Sequence, residues 1–311
     1  MRQLPERWRC MKHFAKEAAG KSMSTWGIVG EMQRACGRIV AAFKEALYPS
    51  TCLMCGKFFR DGNQGAFSVS GNNTPDAFGR YDLEKLFSAL MGSYLCPACI
   101  QTFTAVTSPL CRQCGVMFKG REGEDHLCEG CLRSENYFGI ARAAGVYNRA
   151  MMAVIHSFKY SEKVQLARPL SLLLLAVFLK YWRQRPIDLI VPVPLYKKRL
   201  RKRGFNQSYL IVKDWPVLLT RWRSPGKDVH IDPYVLQRTR PTLPQTGLGR
   251  KDRMSNVKKA FALTSPEKVK DRRVLIIDDV LTTGATANEC TRVLLGGGAK
   301  AVDILTVARA M

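Results

Sequence analysis

The sequence predicts an α/β protein with a mostly parallel, helix-flanked sheet, preceded by a small cysteine-rich module. Three observations carry this. Two short apolar runs, Leu189–Val191 and Val274–Ile277, read as strands buried on both faces, as strands of a parallel sheet are. Eight of the eleven cysteines fall between residues 51 and 135. Charge is divided unevenly: residues 1–50 carry +5, residues 51–135 carry −1 and residues 136–311 carry +20, within a total of +24. Composition changes near Ser50 and near Glu135, so the expected units are 1–50, 51–135 and 136–311. An apolar content of 46% in 311 residues excludes wholesale disorder.

In the first unit, Ile28, Val29, Met32, Cys36, Ile39, Val40, Phe43 and Leu47 recur at helical spacing and predict an amphipathic helix. Residues 1–25 read as a loose extension that includes Cys10. Basic residues there precede no uninterrupted apolar stretch, which argues against a secretory signal, and a cytoplasmic location is expected.

The second unit holds four Cys-x-x-Cys pairs: Cys52/Cys55, Cys96/Cys99, Cys111/Cys114 and Cys128/Cys131. Each such turn aims two thiolates at one point, and two turns complete a tetrahedral zinc site. The first and third pairs are followed by Gly and an apolar pair or triplet, and the second and fourth are not. That alternation is the pattern of a duplicated ribbon, with the first turn paired to the second and the third to the fourth. Two structural Zn²⁺ ions are therefore expected. Disulfides in an exported protein are the competing reading, disfavoured by the missing export signal. A Gly/Ser/Asn-rich loop (61–79) and a short helix near Leu83–Leu90 lie between the second unit's first two turns.

In the third unit, the longest apolar run, Leu170–Leu179, is broken by Ser171 and falls short of the roughly 18–20 residues of a membrane span. It reads as a buried helix, and no membrane span is expected. Asp188-Leu-Ile-Val-Pro192-Val-Pro194-Leu195 reads as a strand halted by prolines. Next come six basic residues among seven, Lys197 to Arg203, then Gly204 and a helix. The segment Gln237–Asn256, with two prolines and two glycines, reads as a basic loop between strands that closes over a site or merely connects. Cys290 reads as a small buried hydrophobe.

The most informative stretch is Val274-Leu-Ile-Ile-Asp278-Asp279-Val280-Leu281-Thr282-Thr283-Gly284-Ala285-Thr286. A strand ends in two carboxylates, and a Thr/Gly turn then opens into a helix, expected over Ala287–Leu295. Backbone N–H groups of such a turn suit a phosphate monoester. The acids would repel that phosphate but suit a ribose diol, directly or through Mg²⁺. A sugar phosphate therefore fits, and the excess of +20 agrees with a polyanionic ligand.

These thirteen residues resemble the phosphoribosyl-pyrophosphate (PRPP) signature of type I phosphoribosyltransferases. The resemblance implies that Asp278 and Asp279 hold the ribose hydroxyls and that Thr282, Thr283, Gly284, Ala285 and Thr286 hold the 5′-phosphate. From their place at the carboxyl end of another strand, Pro192, Val193, Pro194 and Leu195 with Arg199, Arg201 and Arg203 are expected to form the pyrophosphate side, with Mg²⁺ bridging pyrophosphate and ribose; the basic run otherwise reads as a nucleic-acid patch or a solvated face. Arg238, Arg240, Gln245 and Arg253 are candidates for stabilising the departing pyrophosphate. More broadly, residues 45–311 resemble the ComF competence-protein family. That likeness rests on Leu47-Tyr-Pro, the four cysteine turns, Phe158-Lys159-Tyr160, Val191-Pro-Val-Pro194, Arg203-Gly-Phe-Asn-Gln207, the Gln245…Leu248…Arg253…Asn256 pattern and the PRPP signature. It implies a part in natural transformation, downstream of single-stranded DNA entry and alongside the competence machinery. The alternative is a non-catalytic PRPP sensor or nucleic-acid-binding regulator. The acceptor and the oligomeric state stay open.

Overall fold

The computed structural model describes residues 50–60, 82–120, 122–133, 136–160, 163–221, 229–243 and 249–311. The helix expected between Ile28 and Leu47, Cys10, Cys36, the 61–79 loop, Gln245 and Leu248 lie outside them. The described residues from Thr51 onward pack as one compact unit.

The first cysteine turn sits between two-residue strands β1 (Ser50–Thr51) and β2 (Phe58–Phe59). Helix α1 (Leu83–Met91) starts where the Asp82 carboxylate accepts from the Glu84 and Lys85 N–H groups, and it buries Leu83, Leu86, Phe87 and Met91. The second and fourth turns lie at the starts of one-turn helices, α2 (Pro97–Ile100) and α3 (Glu129–Leu132).

The main sheet opens with β3 (Ala141–Val146), and α4 (Arg149–Tyr160) and α5 (Ala167–Trp182) follow. After β4 (Leu189–Pro192) come α6 (Lys197–Arg203), α7 (Gln207–Val212), α8 (Trp215–Arg221) and β5 (His230–Ile231). A small antiparallel pair, β6 (Leu236–Arg238) and β7 (Phe261–Leu263), encloses α9 (Arg250–Val257). The chain finishes with β8 (Arg273–Leu281), α10 (Ala285–Gly296) and β9 (Ala301–Arg309).

The five long-range strands are all parallel, in the order β3-β9-β8-β4-β5. Alternate residues of β8 feed two cores. Leu275 and Ile277 join α1, α4, α5, α7 and α8 on one face, while Val274 and Ile276 join α10, the β6/β7 pair and the second cysteine cluster on the other. The exposed edge of β3 is covered by residues 104–106, which run antiparallel to it through Val106 N–H to Ala144 O (3.1 Å) and Val146 N–H to Thr104 O (2.8 Å). Gly145 permits this approach, because a Cβ there would lie 2.3 Å from the Phe103 ring.

Helix α5 is buried on every side from Leu170 to Leu179. With the preceding turn it spans 19 residues and has the length and hydropathy of a membrane span, but its side chains pack inside the protein. Ser171, which interrupts the apolar run, accepts from the buried Trp215 indole (3.1 Å). The structure adds one helix and differs from two local expectations. The basic run is itself a helix, ended by Gly204 at φ +78°. Segment 237–256 is not all loop: Gly249 N-caps α9, and the Arg240 guanidinium donates to the carbonyls of Asn256 (3.0 Å) and Lys258 (2.6 Å). Strand β8 runs through both acids to Leu281, because its pairing with β9 continues to Leu281 opposite Arg309.

Candidate functional site

The carboxyl ends of β8 and β4 border a cavity of about 630 Å³, at the place in an open parallel sheet where ligands collect. Its lining includes Asp278, Asp279, Thr282, Gly284, Ala285 and Thr286 from the end of β8 and the turn into α10, Val193 and Leu195 after β4, and the cations Arg199, Arg203, Arg238 and Arg253. The Pro192–Leu195 segment is held by the Asn206 side-chain amide, which donates to Val193 O (3.1 Å). Among the other sequence candidates, Pro192, Pro194, Thr283, Arg201 and Arg240 are not in the wall. Arg201 is exposed, and Arg240 holds loop carbonyls.

The turn into α10 depends on Gly284, which adopts φ +82° and caps the helix without a side chain. A helix start with no side-chain cap presents its first-turn amides to an anion. Asp279 is nearly buried and forms an ion pair with Lys159 at 2.5 Å, and the Gln207 amide donates to it at 3.2 Å. Gln207 also accepts from Arg203 (2.7 Å), whose guanidinium lies 5.2 Å from the centre of the Tyr160 ring. Asp278 accepts from the Asp279 N–H (2.8 Å) and Ser208 Oγ (3.4 Å). Burial, then the neighbouring Asp279 charge, pushes the Asp278 carboxyl up to about 7. For Lys159, burial opposes the charge, but Asp279 and Asp278 outweigh it and raise the ammonium above its ordinary value. Arg238 is buried beside Phe261, bonded to Thr242, and its Nε has no partner among the described residues. Burial and then Arg199 lower its affinity for its proton.

Lys159, Gln207 and Ser208 were missed as site residues. Two of them carry a partial sign in the sequence: Lys159 lies in the Phe158-Lys159-Tyr160 triplet and Gln207 ends Arg203-Gly-Phe-Asn-Gln. What it did not give was that α4 and α7 deliver them to the acids of β8.

The Asp278 shift predicts a pH signature in the free protein. A carboxyl whose folded value is raised from 3.8 to about 7 weakens the fold as pH rises between those values, and the penalty is complete above about 7. Asp278→Asn is therefore expected to raise stability by about 1–3 kcal/mol at pH 8, with the gain vanishing near pH 4. Denaturant melts of both proteins at pH 8, 6 and 4 check this; an equal gain at all three would contradict it.

The eight cysteines gather into two clusters, Cys52/Cys55/Cys96/Cys99 and Cys111/Cys114/Cys128/Cys131, each with its sulfurs within 4.8 Å of one another. The Cys55–Cys96 and Cys114–Cys128 sulfurs are 3.8 and 3.7 Å apart. That is the edge of a tetrahedron with metal–sulfur bonds of about 2.3 Å, so both sets fit zinc. Burial raises the Cys52 thiol, but N–H groups of Cys55, Cys96 and Met54 outweigh it and hold it at about 6. Cys111 is held at about 7 in the same way by Cys128, Cys114 and Gln113. Burial and crowding with the other thiols push Cys99 and Cys131 upward, a conflict that a bound cation relieves.

Comparison with known proteins agrees with this geometry. Residues 236–311 match the phosphoribosyl transferase domain model. The chain is 34% identical over 223 residues to the DNA utilization protein YhgH of Escherichia coli K12, which covers 70% of this chain and 91% of that protein. The chain belongs to the ComF family. Competence protein F of Haemophilus influenzae is 31% identical over 220 residues (70% of this chain, 90% of that one). Competence protein ComFC of Streptococcus pneumoniae is 25% identical over 261 residues (83% and 99%). This ComF-family chain thus joins two cysteine clusters suited to zinc to a phosphoribosyltransferase sheet.

Proposed function

We propose that this ComF-family protein binds PRPP with Mg²⁺ and transfers its phosphoribosyl group to an acceptor during the handling of incoming single-stranded DNA in the cytoplasm. The observation that carries this is the conjunction at one cavity of the Asp278/Asp279 pair, the Gly284 turn and four lining arginines. The names of the relatives, a DNA utilization protein and competence proteins, supply the cellular context. The units that would divide this work are residues 1–50, the 51–135 zinc ribbons and the 136–311 transferase domain, with exposed Lys197, Lys198, Arg201 and Lys202 offered to DNA and the competence machinery as partner.

In this reading Asp278 and Asp279 orient the ribose hydroxyls, and the 282–286 turn anchors the 5′-phosphate. Bound Mg²⁺ would neutralise pyrophosphate, and the paired carboxylates are the hard oxygen donors it prefers. Because the transition state places charge on departing pyrophosphate, Arg199, Arg203, Arg238 and Arg253 act by stabilising that charge. Tyr147, Met152, Tyr160 and Phe205 also line the cavity and suit a planar acceptor. Lys159 must leave or share Asp279 when the diol enters.

One observation favours a non-catalytic PRPP sensor instead: the described cavity wall contains no histidine, and its only acids are the two assigned to ribose. Pyrophosphate release from Mg–PRPP, measured alone and with each nucleobase or single-stranded DNA, separates the readings. Acceptor-dependent release supports transfer; saturable binding without release under every condition supports the sensor.

A further inference from the structure

Arg309 ends β9, and its side chain is more than nine-tenths buried. Its guanidinium reaches in two directions. Toward the cysteine-rich segment, Nε donates to Cys114 O (3.1 Å) and Nη2 to Cys114 Sγ (3.7 Å). Toward the anion-binding turn, Nη1 donates to Leu281 O (3.0 Å) and Thr282 O, and also to Ala310 O (2.7 Å). One side chain therefore touches both a cysteine of the second cluster and the first residue of the turn.

Among the described residues no carboxylate pairs with Arg309. A buried guanidinium surrounded by carbonyls lacks a counter-charge, which is costly. Zinc on four thiolates would carry two net negative charges, so a metal-loaded second cluster would supply that counter-charge at Cys114 Sγ. Further contacts run the same way. The Gln113 amide donates to Phe138 O (3.1 Å), Phe138 lies 3.9 Å from where a Gly284 Cβ would stand, and Tyr137 N–H donates to the Asn288 side chain of α10 (2.7 Å). Gly115 lets the third turn rest on β3, because a Cβ there would come 2.5 Å from Ala141 O. Cys52 and Cys99 of the first cluster belong instead to the core on the other face of the sheet, with a backbone bond from Leu53 N–H to Tyr94 O (3.0 Å).

We propose that Arg309 is a positioning residue that ties the second cysteine cluster to the 282–286 turn, so that metal in that cluster, and not in the first, holds the turn in order. The consequence for PRPP rests on the function proposed above; the tie itself does not.

Hydrogen exchange of the turn, together with site-resolved cysteine alkylation, tests the tie in the full zinc-loaded chain without PRPP. Arg309→Met is expected to speed exchange at 282–286 about tenfold or more and to speed alkylation of Cys111, Cys114, Cys128 and Cys131. Cys52, Cys55, Cys96 and Cys99 should stay as protected as before, as should the central amides of β8. Arg309→Lys, which keeps the charge but not the fork, should fall between. In the unaltered protein, chelator stripping of the second cluster alone should open the turn to the same extent, which decides the matter if the Met variant does not fold. An unchanged turn in either arm, or equal exposure of both clusters in Arg309→Met, would overturn the proposal. Because no sugar phosphate is present, the result stands apart from whether PRPP binds.

Discussion

Asp279→Asn is expected to weaken Mg–PRPP binding by about a hundredfold or more, equivalent to roughly 2.7 kcal/mol. Asp279 is the acid most tightly enclosed by protein groups, with Lys159 at 2.5 Å and Gln207 at 3.2 Å. Ribose hydroxyls must replace some of those partners, and a neutral amide offers only one acceptor oxygen where the carboxylate offered two. The substitution also strands the Lys159 ammonium, although Asp278 remains near it. A stability loss of about 1–3 kcal/mol is therefore expected, with two zinc ions per chain retained. Titration calorimetry, with zinc content and circular dichroism as controls, measures all three. Wild-type affinity in a folded variant would remove Asp279 from the site.

Removal of zinc from the first cluster should have the largest effect on stability. Its cysteines close a segment whose buried residues, Leu86, Phe87, Met91, Leu95 and Phe103, belong to the same core as α5. Without metal, four crowded thiols replace a cross-link, and structural zinc sites of this kind contribute on the order of 10 kcal/mol to folding. Chelation, or Cys99→Ser, is expected to lower the melting midpoint by about 10 °C or more and to open residues 82–103 to protease. Residues 104–106, which cover the edge of β3, follow directly on this segment, so its release should also promote self-association. An unchanged midpoint in metal-free protein would show that packing alone holds the segment.

Much of this architecture was readable in the sequence for identifiable reasons. The signature Val274–Thr286 combines a local strand, turn and helix start, so its parts are adjacent in the chain and need no tertiary knowledge. The cysteine turns are equally local, and the alternating glycine distinguished their two kinds. What escaped was long-range. A continuous apolar strand does not reveal which alternate residues meet which layer, so the division of Leu275 and Ile277 from Val274 and Ile276 could not be assigned. The delivery of Lys159 and Gln207 to Asp279 depends on how α4 and α7 cross the strand ends, and Arg309 differs in sequence from no surface arginine. The helical state of Lys197–Arg203 was hidden by its charge, since six cations in seven residues read as a solvated face or a nucleic-acid patch and carry no apolar periodicity to mark a helix before Gly204 ends it.

The most direct measurement is calorimetric titration of the folded, zinc-loaded protein with PRPP in the presence of Mg²⁺. The account predicts a saturable heat with one site per chain, weakened when Mg²⁺ is omitted and competed by ribose 5-phosphate. Absence of any heat at millimolar PRPP, from protein whose fold and zinc content are verified, would contradict it.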